Sequence, residues 1–93
     1  MVWIKSLEGS YVNVDNVLSI VFDNKCNSFA AVVGYKDGRL QHKIYQNRAL
    51  DNILAGARPR NEFEIIEEII DLIEKSKAGE GPKILDLTAL IDN

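Results

Sequence analysis

The chain predicts an α+β domain, and three observations carry that prediction. Apolar and polar residues alternate with a period of two through most of residues 1–45. Within that stretch Asp37-Gly38 gives a two-residue hairpin signal, because a type I′ turn needs positive φ at both central positions. After residue 61 the period changes: Phe63, Ile66, Ile69, Ile70 and Ile73 recur at helical spacing. The expected architecture is an antiparallel β-meander of about four or five strands, covered on one face by a long helix from the C-terminal half.

The elements follow in order. VWIKSL, the turn EGS and YVNV form a first hairpin; Asp15-Asn16 breaks the pattern before VLSIVF, where Leu18, Ile20 and Phe22 alternate with Ser19 and Val21. The polar run DNKCNS reads as a loop. FAAVVGYK and RLQHKIY flank the hairpin turn, so Lys36 is expected opposite Arg39, Tyr35 opposite Leu40, Val33 opposite His42 and Ala31 opposite Ile44. That register gathers Phe29, Ala31, Val33, Tyr35, Leu40, His42 and Ile44 on an apolar face. It leaves Ala30, Val32, Gly34, Lys36, Arg39, Gln41, Lys43 and Tyr45 on a smaller, basic one.

Residues 46–61 read as a short helix and linker, with Leu50, Ile53 and Leu54 at helical spacing, Gly56 as a stop and Pro59 preventing continuation. The main helix is expected over 62–78. Asn61 is its cap and Glu64 the third residue of a capping box, with Glu62 and Glu64 on the positive end of the dipole. Ile65 and Leu72 widen its apolar stripe. Gly79-Glu80-Gly81-Pro82 ends it. The tail, 83–93, alternates like a strand at Leu85, Leu87 and Ala89 and repeats like a helix at Ile84, Leu87 and Ile91. A strand near 83–87 with a short helical end is expected. Trp3, Leu18, Ile20, Phe22, Val33, Tyr35, Leu40 and Ile44 are expected to meet Phe63, Ile66, Ile69, Ile70 and Ile73 in one core.

Composition narrows the class. Ninety-three residues, 46% hydrophobic and 27% charged, make one globular domain. No apolar run approaches the ~20 residues of a membrane-spanning helix, and MVWIKSLEGS lacks signal-peptide character. A single cysteine, Cys26, fits a reducing cytoplasm. The net charge of −3 is unevenly spread: residues 1–60 carry eight Lys/Arg against five Asp/Glu, and residues 61–93 carry three against nine. Such a polarised chain suits a partner or a second copy of opposite sign.

No pattern of catalytic chemistry is present. His42 is the sole histidine and has no cysteine or histidine cluster around it, so no metal site is expected. Cys26 lies in a polar turn without a base, the acidic helix face lacks an EF-hand pattern, and no phosphate-binding glycine loop occurs. No cofactor is expected. The informative surface is basic. Lys36, Arg39, Lys43 and Tyr45 share a strand face that Arg48, Arg58 and Arg60 extend, and arginine forks bind carboxylate or phosphate bidentately.

The segments WIKSLEGSYVNVDNVLSI, AVVGYKDGRLQHKIY and EFEIIEEIIDLIEK together resemble the FlbD/SwrD family of small flagellum-associated bacterial proteins. Gly9, Val12, Asn13, Val17, Ile20, Gly38 and the Glu/Ile-rich helix are the matching positions. Short bacterial and prophage proteins share the layout. The chain departs from the family in the inserted residues 46–61 and in the KILDLTALIDN tail. The resemblance implies a small regulator or adaptor and supplies no catalytic residues. The function expected is therefore non-enzymatic: an adaptor or regulator binding another protein, in a motility or prophage setting, with homodimerisation through a strand edge or the tail. The alternative is a nucleic-acid-binding module that uses the basic sheet face and the Arg58/Arg60 loop.

Overall fold

A computed structural model of the chain describes residues 1–35, 38–48, 54–56 and 60–92, with the side chain of Tyr35 outside that set. The fold is α+β, with the strands in two three-stranded sheets. The first sheet has the order β2-β1-β6, with β1 Trp3–Lys5, β2 Tyr11–Asn13 and β6 Ile84–Leu85. The second has the order β3-β4-β5, with β3 Val17–Asp23, β4 Ser28–Tyr35 and β5 Gly38–Gln46. Helix α1 spans Glu62–Lys77 and helix α2 Leu87–Asp92. Among the described residues the expected meander of four or five strands is thus six strands in two sheets. The reason lies at the termini, where β6 pairs in parallel with β1, a long-range contact that local patterning does not show.

The first hairpin forms as read, with Ile4 opposite Val12 and Gly9 at φ +84 in its turn. Even-numbered residues point inward here: Val2, Ile4 and Val12 are buried, as is Leu85 beside them. Odd-numbered Trp3, Lys5 and Tyr11 therefore project from the opposite face.

The second sheet departs from strict alternation at two bulges. The first lies between Val17 and Ser19. It turns Leu18 away from the core, leaving it 60% exposed, and its side chain lies over Gly34, where an added Cβ would sit 3.1 Å from Leu18 Cδ1. The second lies opposite Phe29–Ala30, where Phe29 pairs with Tyr45 although Ala30 pairs with Lys43. The extra residue brings Ile44 and Tyr45 both into the core. Between the bulges the hairpin runs two residues out of the expected register. Tyr35 pairs with Gly38, Val33 with Leu40 and Ala31 with His42, so Gly38 opens β5 instead of serving the turn. Sliding by two preserves the faces, and the bulge then buries the Tyr45 ring, which strict alternation leaves in water. The small face is also drier than expected, since Ala30 and Val32 are buried.

Asn61 caps α1, its Oδ1 accepting the N–H of Glu64 at 2.9 Å. The helix closes with a Schellman-type bond from Glu80 N–H to Lys75 C=O, 2.9 Å, around Gly79 at φ +82. The short helix expected near Leu50–Leu54 lies mostly outside the described residues.

The core joins Ile4, Val12 and Leu85 of the first sheet, Phe29, Ala31, Val33, Ile44 and Tyr45 of the second, and Ile65, Ile69 and Ile73 of α1. Four residues expected there are exposed instead: Leu18, Leu40, Phe63 and Ile70. On α1 the cause is a rotation of the buried stripe to Ile65, Ile69, Ile73 and Ser76, which turns Phe63 and Ile70 outward. Trp3 is only half-buried.

Two substitutions on α1 separate these placements. Ile69→Ala removes a fully buried side chain and should lower unfolding stability by about 2–5 kcal/mol in urea titration. Phe63→Ala alters a side chain that is 69% exposed and should stay within about 0.5 kcal/mol of wild type. Equal losses at the two positions would show that the helix is seated differently.

Candidate partner-binding site

The outward face of the first sheet carries an apolar recess. Trp3 on β1 has Ile84 of β6 on one side and the β2 residue Asn13 on the other. Tyr11, two residues along β2, is paired with Lys5. Trp3, Tyr11 and Ile84 line a cavity of about 320 Å³. Tyr11 and Ile84 are each more than half exposed, so the recess is open to a ligand. Its rim is charged where Lys5 Nζ lies 3.7 Å from the carboxylate of Asp86. A second, more polar hollow of about 180 Å³ adjoins it, sharing Trp3 and Tyr11 and adding Asn13, Asn16 and His42. A recess of this kind accepts an aliphatic or aromatic side chain and offers amide and imidazole groups beside it.

The basic residues do not form one patch. Arg39 and Lys43 lie on the second face of β5 with Gln41, exposed, and neither side chain has an ion-pair partner among the described residues. Lys36 and Arg58 lie outside the described residues. Tyr45, Arg48 and Arg60 each already have a carboxylate partner within the chain. The Tyr45 ring is 1% exposed and its hydroxyl donates to Asp92 Oδ1, while Arg48 Nη1 reaches Asp92 Oδ2 at 3.4 Å. Arg60 pairs with Glu68 on α1. The expectation that Tyr45 stands on the basic face is therefore corrected by the β5 bulge, which turns the ring inward. The outcome is a clasp: Asp92 at the end of α2 fastens the tail to the end of β5.

Burial, then the hydrogen bond and negative charge of Asp92, push the Tyr45 phenol above the ordinary tyrosine range. Asp23, at the end of β3, is held below the ordinary carboxylate range, chiefly by the Lys25 N–H it accepts. Cys26 is half-buried with Sγ 2.9 Å from Ser28 Oγ, beside the Asp23 carboxylate. Among the described residues no three His, Cys, Asp or Glu side chains converge as metal ligands. No helix of the described residues is long and apolar enough to cross a membrane.

Sequence reasoning assigned Trp3 to the core and did not single out Tyr11 or Ile84. The signal was present: if Ile4, Val12 and Leu85 face inward, their neighbours Trp3, Tyr11 and Ile84 face out. Comparison of the chain with protein-family models, characterised proteins and solved structures finds no match.

The clasp gives a pH prediction. The folded state retains the Tyr45 proton more tightly than the unfolded chain. Its contribution is full below the unfolded tyrosine pKa of about 10 and is lost as pH rises beyond it. Tyr45→Phe should cost about 1–3 kcal/mol at neutral pH and should flatten part of the fall in stability as pH rises above about 10. An alkaline limb identical to that of wild type would show that the hydroxyl is not held by Asp92.

Proposed function

We propose that the protein is a small non-enzymatic adaptor or regulator that binds another protein through the Trp3–Tyr11–Ile84 recess. One observation carries this reading: the only tryptophan of the chain stands half-buried on an outward sheet face, beside an exposed tyrosine and isoleucine. Aromatic side chains around an apolar recess are the usual anchors of protein interfaces, since each buries a large area at a small conformational cost. The occupant that suits the recess is an aliphatic or aromatic side chain of a partner protein, flanked by polar groups that meet Lys5, Asp86 and Asn13. The resemblance to the FlbD/SwrD family favours a motility or prophage setting for that partner.

The nucleic-acid alternative draws support from Arg39 and Lys43, exposed on one strand face. Against it, Arg48 and Arg60 already have carboxylate partners, so the cationic surface is smaller than the sequence suggests.

Tandem pull-downs with wild-type and Tyr11→Ser/Ile84→Ser protein, followed by Trp3 fluorescence with the captured partner, test the proposal. The expected result is a partner retained by wild type, lost with the double variant, and shifting Trp3 emission to the blue on binding. A partner retained equally by the double variant would remove the recess from consideration. Binding to labelled single-stranded nucleic acid that weakens steeply with salt and with Arg39→Ala/Lys43→Ala would favour the alternative.

A further inference from the structure

The long open strand of this fold is β3. Among the described residues it pairs with β4 on one side and with no strand on the other, and residues 18–23 make no backbone hydrogen bond outside that ladder. The opposite edge of the same sheet is met by the β1–β2 loop at Lys43. There Leu7 N–H donates to Lys43 C=O and Lys43 N–H donates to Glu8 Oε1, each at 2.8 Å. The edges of the first sheet are strands of two and three residues. Natural sheets blunt an open edge with lysine, proline or a bulge. Here the bulge at Leu18 interrupts only the start, and Ser19–Asp23 pairs regularly with no lysine or proline in it.

Beside this edge runs a groove of about 230 Å³ whose other wall is α1, lined by Leu18, Ile20, Ile70, Glu74 and Lys77 among others. Leu18 and Ile70 are exposed there. Glu74 and Lys77 have no ion-pair partner among the described residues.

We propose that a second copy of this chain fills this groove, adding its own β3 antiparallel to the first about a two-fold axis at Val21. The strand is complementary to itself in that register. Ile20 faces the partner's Phe22, Val21 faces the partner's Val21, and Ser19 faces the partner's Asp23, a hydroxyl against a carboxylate. No like charges are opposed. The partner's Phe22, which stays packed on its own Phe29, comes alongside Ile20, and the reciprocal contact forms at the other end, as an isologous interface requires. The partner's Asp23 and Lys25 bring a carboxylate and an ammonium to a groove end that carries Lys77 and Glu74. The result is a continuous six-stranded sheet, β5-β4-β3 joined to the same three strands of the partner. The contact is separate from the Trp3 recess, which stays open on each copy.

Sedimentation equilibrium of the full chain, with Val21→Lys, Val21→Glu and their equimolar mixture, tests this arrangement. Wild type should sediment as a dimer. Each variant alone should be monomeric with an unchanged far-UV spectrum, because two like charges meet at the axis, and mixing the two should restore the dimer. A wild-type chain that stays monomeric up to about 1 mM, or dimers that persist in both single variants, would overturn the proposal. If either variant fails to fold, amide exchange in wild type decides. Protection of residues 18–23 should rise with protein concentration, and protection independent of concentration rules the edge out.

Discussion

Everything else in this fold hangs on the parallel pairing of β1 with β6. Two short strands, one from each end of the chain, meet through Trp3 opposite Ile84 and Ile4 opposite Leu85, with Trp3 N–H donating to Lys83 C=O at 2.8 Å. The backbone bonds alone stabilise little, since each contributes roughly 1 kcal/mol net. What makes the pairing firm is that Ile4 and Leu85 are both fully buried, so separating the strands exposes two large aliphatic side chains at once. The same pairing places α2 where Leu87 packs into the core and Asp92 reaches Tyr45 and Arg48.

The recess follows from the same geometry by necessity. A strand pair that sends Ile4 and Leu85 inward sends Trp3 and Ile84 outward together, and β2 adds Tyr11 to the same face. Burying the core thus creates an apolar outer patch at the junction of the two chain ends. Trp3 and Ile84 suit the strand conformation, and Trp3 is half-buried against the sheet; the apolar surface they leave outside is what lines the recess. A loop and a carboxylate meet one side of the second sheet at Lys43, while Ser19–Phe22 on the other side carry no charge.

Much of this was legible in the residues. The first hairpin, the strands over 17–23 and 28–46, the Asn61 cap and the Gly79 stop all follow from local chemistry. The tail is a strand followed by a short helix, but the strand is only Ile84–Leu85 and the helix already begins at Leu87, a boundary that the overlapping periodicities at Leu87 could not place. What local patterning did not reveal was where alternation breaks. Neither bulge has a glycine or proline to mark it, yet one turns Leu18 out of the core and the other turns Tyr45 into it, which dissolves the expected basic patch. The rotation of α1 is equally hidden: Ile65, Ile66, Ile69, Ile70 and Ile73 support more than one seating, and only the shape of the facing sheets selects Ile65, Ile69 and Ile73. The recess depends on β6 finding β1 across nearly the whole chain, which periodicity does not encode.

Native-state hydrogen exchange at the Trp3 amide tests the central pairing most directly. N-terminal residues ordinarily fray and exchange within the shortest times measured. Here the Trp3 N–H is bonded to Lys83 C=O, so it should exchange as slowly as the amides of β4, opening only when the whole domain unfolds. Rapid exchange at Trp3 alongside slow exchange in β4 would show that the chain ends are not joined and that the recess is not a stable feature of the fold.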